Sequence, residues 1–205
     1  MKFKKLRKEK VALFGCKYTT KETLFRLRET FENISLITIS NEIADKNNVS
    51  GFYKFREIPE NIYFAKKYNL KNDQDLKFFV ESRFDIGLVN GWQRLVPEEI
   101  LKTFNYGVFG MHGSPEPLPR GRGRSPLNWS LINGEESFTT NLFKYNAGID
   151  AGEIVGSQKF TITPWDDCHT LHLKNLSAMD LLIRNYLSDY LDGKSELSAQ
   201  LSEVE

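Results

Sequence analysis

The sequence has no excess of charge of either sign. Among its 205 residues, lysine and arginine number 28 and aspartate and glutamate 27, so the formal net charge is +1. A protein that gathers nucleic acid or an anionic membrane by electrostatics needs a large positive surface. We therefore expect no nucleic-acid partner and no membrane partner, and any anionic ligand has to be bound by a local cluster of basic residues.

Cysteine is also scarce, and long apolar runs are missing. Cys16 and Cys168 do not have the dense spacing of a secreted disulfide scaffold, although two cysteines can still pair with each other. No segment has the roughly 20 consecutive apolar residues of a membrane span. The basic start, MKFKKLRKEK, lacks the apolar stretch and cleavage pattern of a secretory signal. These absences favour a protein of the reducing cytoplasm.

The chain has instead the pattern of an α/β protein. Apolar residues make up 40% of it, which is enough for a buried core. A β-α-β unit is predicted at the start of the chain. It consists of a short apolar run at 10–16, a segment of helical spacing that Thr19 or Thr20 can cap, and a second apolar run at 35–40. Its two strands are expected to be parallel, with a right-handed connection.

The same signals predict the later elements. Further strands are predicted at residues 84–89, 106–111, 138–145 and 153–163, and further helices at 59–68, 73–82, from 97 onward, 126–133 and 167–191. Ser125 is the expected cap of the helix that ends at Gly134, and Asp166 or Asp167 is the expected cap of the last helix. Residues 41–55 are polar and then aromatic, and we interpret them as a loop over the carboxyl ends of the strands.

The least regular stretch is GMHGSPEPLPRGRGRSP, residues 110–126, which follows a predicted strand. Ligands of α/β proteins bind beyond the carboxyl ends of strands, so His112, expected just past the strand end, is a candidate acid or base. Asp150, in the glycine-rich turn 146–152, is a candidate partner, because a carboxylate next to an imidazole fixes its tautomer and stabilises its charged form. Each residue alone is equally well explained as structural, and the pair is significant only if the fold brings them together.

Three motifs along the chain resemble those of the folate-dependent formyltransferases. They are His112-Gly113-Ser114, the segment PRGRGRSP at 119–126 and the turn GIDAGEIV at 148–155. The resemblance implies a single Rossmann-like catalytic domain at 1–192, with a mostly parallel sheet flanked by helices, followed by a polar tail at 193–205. It also implies formyl-tetrahydrofolate as the co-substrate. The residues expected to bind it are Asn90, Gly91, Trp92, Gln93, Arg94, Leu95, Tyr145, Asn146 and Gly148.

By the same resemblance, His112 assists the tetrahedral intermediate of formyl transfer, by stabilising its oxyanion or handling a proton, and Asp150 orients or charges the imidazole. The sequence departs from the family pattern at Gly110, where these enzymes usually have an asparagine whose carboxamide donates to the oxyanion. The candidate replacements are the backbone amides of 110–114, the Ser114 hydroxyl and the Asn128 side chain. The alternative interpretation is an inactive relative that only binds a sugar nucleotide.

The acceptor is expected to carry phosphate. Arg120, Arg122 and Arg124 alternate along an extended segment and so point to one side, where they could clamp a diphosphate. Alternatively, one of them pairs with Glu116 and the others are solvated. The segment resembles most the branch that formylates nucleotide-linked 4-amino-4,6-dideoxy sugars, with glycinamide ribonucleotide as the alternative acceptor. The residues expected to bind the sugar nucleotide are Lys46, Asn47, Ser114, Arg122, Gly123 and Arg124.

Neither a metal site nor an NAD site is expected. Cys168, His169 and His172 lie within one helix turn, which suits tetrahedral zinc poorly and leaves no evident fourth ligand. Gly15 is the only glycine directly after the first strand, where a dinucleotide-binding fold has three. The apolar residues of the last helix exceed what one sheet face covers, which favours a homodimer. The chain can equally be one domain of a longer protein.

Overall fold

A computed structural model describes residues 6–55, 61–116, 118–123, 125–146, 148 and 150–200. Within these residues the strands are β1 (Arg7–Phe14), β2 (Phe31–Thr38), β3 (Ile62–Phe64), β4 (Ile86–Val89), β5 (Gly107–Ser114), β6 (Ser137–Lys144) and β7 (Ile154–Thr161). The helices are α1 (Tyr18–Leu27), α2 (Asn41–Lys46), α3 (Asp73–Ser82), α4 (Glu98–Leu101), α5 (Pro126–Ile132), α6 (Cys168–Leu181) and α7 (Ser188–Leu191), with a π-helical segment (Leu182–Leu187) between the last two.

The strands form a seven-stranded sheet in the order β3-β2-β1-β4-β5-β6-β7. This arrangement confirms the predicted α/β class with a mostly parallel sheet flanked by helices. In the part of the chain that the structure describes, no helix is long and apolar enough to cross a membrane. The chain divides into two compact units, Met1–Phe109 and Gly110–Glu205, and each is described by itself.

The first unit holds parallel strands. β1 pairs in parallel with both β2 and β4, and β2 pairs in parallel with β3. The last four residues of β1, VALF, are completely buried. A continuous apolar run of this kind is typical of a parallel strand that is covered on both faces. The β-α-β unit predicted for the start of the chain is therefore confirmed.

The second unit contains an antiparallel pair of strands and the last helices. β6 and β7 are antiparallel, and their register places Phe138 opposite Phe160. Part of the core of this unit consists of Leu127, Phe138 and Leu171. The last helix begins after its predicted cap, Asp167, whose carboxylate accepts a hydrogen bond from the Thr170 amide at 2.8 Å. The predicted helix at 167–191 is present, with an unpredicted π-helical segment within it.

Several local predictions need correction. Residues 41–55, predicted as a loop, contain α2, which Ser40 caps by accepting a hydrogen bond from the Ile43 amide at 3.3 Å. The segment predicted as a helix at 59–68 contains β3, because parallel pairing with β2 satisfies its backbone; residues 59 and 60 lie outside the described part of the chain.

Two predicted helix caps also differ. The N-cap of α1 is Lys17 rather than Thr19 or Thr20, and the Thr20 hydroxyl accepts a hydrogen bond from the Lys17 amide at 3.2 Å. Ser125 precedes α5 as predicted, but its side chain makes no capping hydrogen bond. Its φ of 58° lies in the left-handed region, whereas a capping residue usually has extended backbone.

Candidate active site

His112 was predicted to lie just beyond a strand end, but the structure places it inside β5. Two glycines of this strand are places where aromatic rings approach the backbone closely. A Cβ on Gly110 would overlap the Tyr145 ring, and a Cβ on Gly113 would overlap the Phe138 ring. Glycine within a strand often marks such an approach. The first residues of the irregular segment therefore belong to a packed strand, and glycine content alone was a misleading signal of a loop.

The structure brings His112 and Asp150 together. The Nδ1 atom of His112 lies 3.6 Å from Oδ2 of Asp150, and its Nε2 atom lies 2.9 Å from the backbone oxygen of Gly121. The two side chains retain only 10% and 22% of their surface exposed. Both ring nitrogens face oxygen acceptors, an arrangement that two N–H groups on the imidazole would satisfy. This geometry can hold an imidazole in one orientation, with an oxygen atom beside each ring nitrogen.

A polar network that the sequence analysis missed holds the backbone of His112. Asn141 of β6 is only 3% exposed. Its Nδ2 donates to the His112 carbonyl at 3.3 Å, and its Oδ1 accepts from the Ser157 hydroxyl at 2.6 Å. A buried amide that is bonded at both ends fixes the groups it joins. The signal in the sequence was the polar run TTN between the apolar residues of the strand SFTTNLFK.

The turn that carries Asp150 is shaped by its neighbours. The Asn146 Oδ1 atom accepts a hydrogen bond from the Gly148 amide at 2.9 Å, which is an Asx-turn contact. Asp150 has a φ of 48°, in the left-handed region that aspartate tolerates better than most residues. A Cβ on Gly152 would overlap the Lys144 carbonyl, so this glycine is required by close packing. Asn146 and Gly148 thus have structural roles, and their folate contacts stay a prediction.

The C-terminal segment, which the sequence presented as a polar tail, contacts the same turn. An antiparallel bridge to the start of β7 brings it there. The Gln200 Nε2 atom donates to the carbonyls of Asp150 at 2.6 Å and Gly152 at 2.9 Å. Its Oε1 accepts a hydrogen bond from Arg122 Nη2 at 2.6 Å. Gln200 therefore ties the Asp150 turn to the segment after β5, and no period or motif in the sequence indicated this.

Tyr145 adds a hydroxyl to this group of side chains. Its ring stacks on Phe143, with 5.3 Å between the ring centroids and 22° between the planes. Burial raises the pKa of Tyr145 far above its usual value, and the negative charge of Asp150 raises it further. Tyr145 consequently keeps its proton at neutral pH and is a hydrogen-bond donor. Its predicted contact with folate is not tested by this geometry.

Ser114 holds the segment that follows β5. It is completely buried, and its hydroxyl donates to the carbonyls of Glu116 and, at 3.2 Å, Arg120. The Arg120 guanidinium lies 3.3 Å from the carboxylate of Glu116, which is the local pairing that the sequence offered as an alternative to a diphosphate clamp. The Ser114 hydroxyl thus faces the interior of its own loop, and its contact with a substrate stays a prediction.

The remaining residues of the proposed arginine clamp are only partly described. Arg122 is exposed and donates a hydrogen bond to Gln200, and Gly123 is exposed with a φ of 134° that favours glycine. Arg124 lies outside the described residues. The clamp therefore stays a prediction that rests on the alternation of the three arginines.

The segment at 90–95, expected to bind folate, lies in the first unit. The Asn90 Nδ2 atom donates to the Thr23 hydroxyl at 2.6 Å, so its side chain is directed toward α1. Trp92 is 7% exposed, and within the described residues its Nε1 has no hydrogen-bond partner. An unpaired buried donor is unusual and fits a residue that meets a polar ligand group.

The other members of this segment are more exposed. Gly91 has a φ of 83°, which favours glycine. The Gln93 amide donates to the Tyr68 hydroxyl at 3.1 Å, and the Arg94 guanidinium lies 4.9 Å from the centre of the Tyr68 ring. Leu95 is 61% exposed. The folate contacts of these residues stay a prediction.

Lys46 and Asn47, expected to bind the sugar nucleotide, lie at the end of α2 in the first unit. Lys46 is exposed in the last turn, and the Asn47 Nδ2 atom donates to the Ile43 carbonyl at 2.8 Å. Asn47 thus satisfies the end of its own helix. A contact of either residue with a sugar nucleotide stays a prediction.

The two cysteines are free, Cys16 buried and Cys168 exposed. The Cys168 thiol donates to Oδ1 of Asn128 at 3.2 Å. Asn128, a candidate oxyanion donor, is therefore an exposed side chain engaged by a thiol. Among the residues with described positions, no group of three or more histidine, cysteine, aspartate or glutamate side chains is placed to hold a metal ion.

Comparison with known proteins gives one family and one fold. The formyl transferase family matches residues 11–180. HypX from Aquifex aeolicus, solved with tetrahydrofolic acid, has a TM-score of 0.65 and 15% identity, over 97% of this chain and 30% of HypX. An N-formyltransferase from Helicobacter canadensis, solved with folinic acid and dTDP-3-aminofucose, has a TM-score of 0.61 and 16% identity, over 95% of this chain and 68% of that one.

Phosphoribosylglycinamide formyltransferase from Anaplasma phagocytophilum has a TM-score of 0.70 and 16% identity, and the match covers 97% of both chains. This chain thus spans under a third of the length of HypX and nearly the whole length of the Anaplasma protein. At these low identities the likeness shows the fold alone.

Proposed function

The chain belongs to the formyl transferase family, and we propose that it transfers the formyl group of formyl-tetrahydrofolate to the amine of a nucleotide-linked amino sugar of the 4-amino-4,6-dideoxy type. The observation that carries the reaction is the approach of His112 to Asp150, 3.6 Å apart, although the two residues come from motifs far apart in the chain. An imidazole held by a carboxylate is suited to proton transfer near neutral pH.

The proposed chemistry is a direct acyl transfer. The amine nitrogen of the acceptor attacks the formyl carbon, and the carbonyl electron pair moves to oxygen, which gives a tetrahedral intermediate with an oxyanion. When that pair returns, the bond from the formyl carbon to the folate nitrogen breaks. The acceptor nitrogen loses one proton and the folate nitrogen gains one, so no oxidant, metal or covalent enzyme intermediate is needed.

His112 and Asp150 have complementary roles in this scheme. Positive charge on the imidazole stabilises the oxyanion as it forms, because charge–charge attraction is strong in a site of low exposure. Asp150 orients the ring through Nδ1 and offsets its charge. The Gly121 carbonyl, 2.9 Å from Nε2, holds the second nitrogen in the structure described here, and substrate binding is proposed to replace that contact.

The segment at 90–95 is our proposed folate contact. The indole N–H of Trp92, which has no hydrogen-bond partner among the described residues, supports this proposal, since a ligand acceptor would satisfy it. The Helicobacter and Aquifex structures were solved with folate compounds, which makes a folate the first ligand to test.

The acceptor is proposed from the segment after β5 and from the Helicobacter protein, which was solved with dTDP-3-aminofucose. Arg122 is an exposed guanidinium, a group that pairs well with phosphate, and it lies in the segment after β5. Glycinamide ribonucleotide is the second candidate acceptor, because the Anaplasma phosphoribosylglycinamide formyltransferase matches this chain over 97% of both lengths.

The reaction is tested by incubating the purified protein with formyl-tetrahydrofolate and each acceptor, and by following the mass of one added formyl group. The panel contains several nucleotide-linked amino sugars and, in parallel, glycinamide ribonucleotide. Formylation of a sugar nucleotide alone supports the proposal, and formylation of glycinamide ribonucleotide alone replaces the acceptor. Sugar-nucleotide binding without any product identifies an inactive relative.

The roles of the pair are tested by substitution. We expect His112→Ala to lower kcat by at least about 10²-fold and Asp150→Asn by at least about tenfold, since each removes part of a general acid–base system. His172→Ala, at an exposed histidine of α6, is the matched control and should keep full activity. Full activity of either site variant would remove that residue from the mechanism.

A further inference from the structure

Tyr145 occupies the space that a side chain at position 110 would need. An ideal Cβ built on Gly110 would overlap the ring and lie 2.7 Å from the Tyr145 hydroxyl oxygen. Any residue larger than glycine is therefore excluded while Tyr145 keeps this position. The Tyr145 hydroxyl thus lies where an asparagine side chain at position 110 would otherwise be.

The position of this hydroxyl is well defined. The ring stacks on Phe143, which is 1% exposed, and its edge contacts the backbone of Gly110. Tyrosine has only two side-chain torsions, so contacts on both sides hold the oxygen in place at little cost in entropy. The contacts of the ring with Phe143 and Gly110 therefore fix the position of the hydroxyl.

This hydroxyl is not used by any other described residue. Among the described residues, no hydrogen-bond partner of the Tyr145 oxygen is present, in contrast to Tyr63, whose hydroxyl donates to Asp75 at 2.7 Å. Burial and the charge of Asp150 keep Tyr145 protonated, so it retains a donor. A partly buried donor that has no acceptor among the described residues is available for a ligand oxygen.

The hydroxyl also lies on the side of the strand that carries the catalytic imidazole. Residues 110 and 112 are two apart in β5, and alternate residues of a strand face the same side of the sheet. The Tyr145 oxygen therefore lies on the strand face from which the imidazole of His112 projects, beside a backbone position about 7 Å along the strand from that of His112. Asp150 acts on both, through the 3.6 Å approach to His112 and through its charge on Tyr145.

We propose that the Tyr145 hydroxyl donates a hydrogen bond to the formyl oxygen as that oxygen gains negative charge, in the place of a side chain at position 110. This inference rests on the proposed formyl transfer. The tyrosine keeps its proton throughout, so the step adds no proton transfer to the scheme above. Tyr145 is then a catalytic residue, and Gly110 is the small residue that gives its ring room.

The test is Tyr145→Phe, which removes one oxygen and keeps the ring against Phe143 and Gly110. Loss of a single oxyanion donor costs about 10²–10³ in kcat, and we expect kcat to fall by about 10²-fold with KM for both substrates within about twofold of the parent value. Tyr186→Phe, at a partly exposed tyrosine of the π-helical segment, is the matched control and should leave both constants unchanged.

The outcomes separate this inference from the function on which it rests. A parent protein that formylates no acceptor overturns both. An active parent with a fully active Tyr145→Phe variant overturns the role of Tyr145 alone. A variant with unchanged kcat and a raised KM for the folate makes Tyr145 a binding contact, which also overturns the proposal.

A second pair of variants tests the shared space directly. Tyr145→Ala opens the region over Gly110, and the double variant Tyr145→Ala/Gly110→Asn places an amide donor there. We expect the double variant to be at least about tenfold more active than Tyr145→Ala, because it restores a donor at the same strand position. A double variant no more active than Tyr145→Ala would mean that the donor does not act from this place.

Discussion

Asp75 in the first unit and Asp150 in the second are two carboxylates used in opposite ways. Asp75 is completely buried and accepts hydrogen bonds from the Tyr63 hydroxyl at 2.7 Å, from the amides of Lys66 and Lys67 at 2.9 and 3.2 Å, and from the Asn72 side chain. Asp150 lies in a strained turn and approaches an imidazole at 3.6 Å.

The contrast extends to the hydroxyls beside them. Tyr63 donates to Asp75, whereas Tyr145 has no acceptor within the described residues. Polar groups that are fully satisfied by the protein can be buried in the fold, because four donors offset much of the large cost of desolvating a carboxylate. Polar groups that are positioned but left with spare hydrogen-bonding capacity are available to a substrate. Burial alone therefore does not separate structural from functional side chains in this protein.

The largest effect on stability should follow from Asp75→Ala. Four donors would lose their acceptor inside the first unit, and we expect the free energy of unfolding to fall by about 3 kcal/mol. Urea titration followed by circular dichroism measures it. Asp73→Ala, an exposed residue of the same helix, is the control and should cost under about 1 kcal/mol. A loss at Asp75 no larger than at Asp73 would remove the contrast between the two carboxylates.

A smaller effect is expected in β5 of the second unit. Gly113→Ala adds a methyl group that overlaps the Phe138 ring, and overpacking of this kind costs about 1–3 kcal/mol. The double variant Gly113→Ala/Phe138→Leu removes part of the overlap. Its loss in the free energy of unfolding should therefore be smaller than the sum of the losses in the two single variants. Simple additivity of the two costs would show that the ring and the glycine are not coupled.

The smallest effect should be at the C-terminal segment. Gln200→Ala removes the donors to the Asp150 and Gly152 carbonyls, and we expect about 1 kcal/mol of lost stability. As a positioning residue, Gln200 should affect kcat by about three- to tenfold while KM for both substrates stays constant. Gln158→Ala in β7 is the control. An unchanged kcat would make Gln200 a purely structural contact. The contrast between structural and functional polar groups would then rest on Tyr145 and His112.

Local patterns predicted much of the fold. The buried run VALF, the helix at 73–82 and the cap at Asp167 all depend on short-range signals, and the structure has them. Predictions failed where a distant partner overrides the local pattern. β3 replaces a helix because β2 offers a parallel edge, and β5 continues through GMHGS because aromatic rings pack against its glycines. A periodicity argument has no access to such partners.

The candidate site shows the same division. His112 and Asp150 were identified from their motifs, but Asn141, Gln200 and the position of Tyr145 over Gly110 were not. Asn141 belongs to none of the three family motifs, and the polar run TTN around it does not indicate its partners. Its importance comes from hydrogen bonds to His112 and Ser157, which are distant from it in the chain. Gln200 lies in a polar segment that has no secondary-structure pattern and no motif. A bridge to β7 brings this segment to the Asp150 turn.

By itself, the sequence determined the α/β class, the parallel start of the chain and the identity of the two residues proposed for acid–base work. These depend on composition, on period and on motifs that neighbouring residues carry. Only the tertiary structure decided that His112 meets Asp150 and that a tyrosine hydroxyl lies where position 110 has no side chain. The reason is that distances between residues far apart in the chain depend on how strands pair and rings pack, and no short segment encodes them.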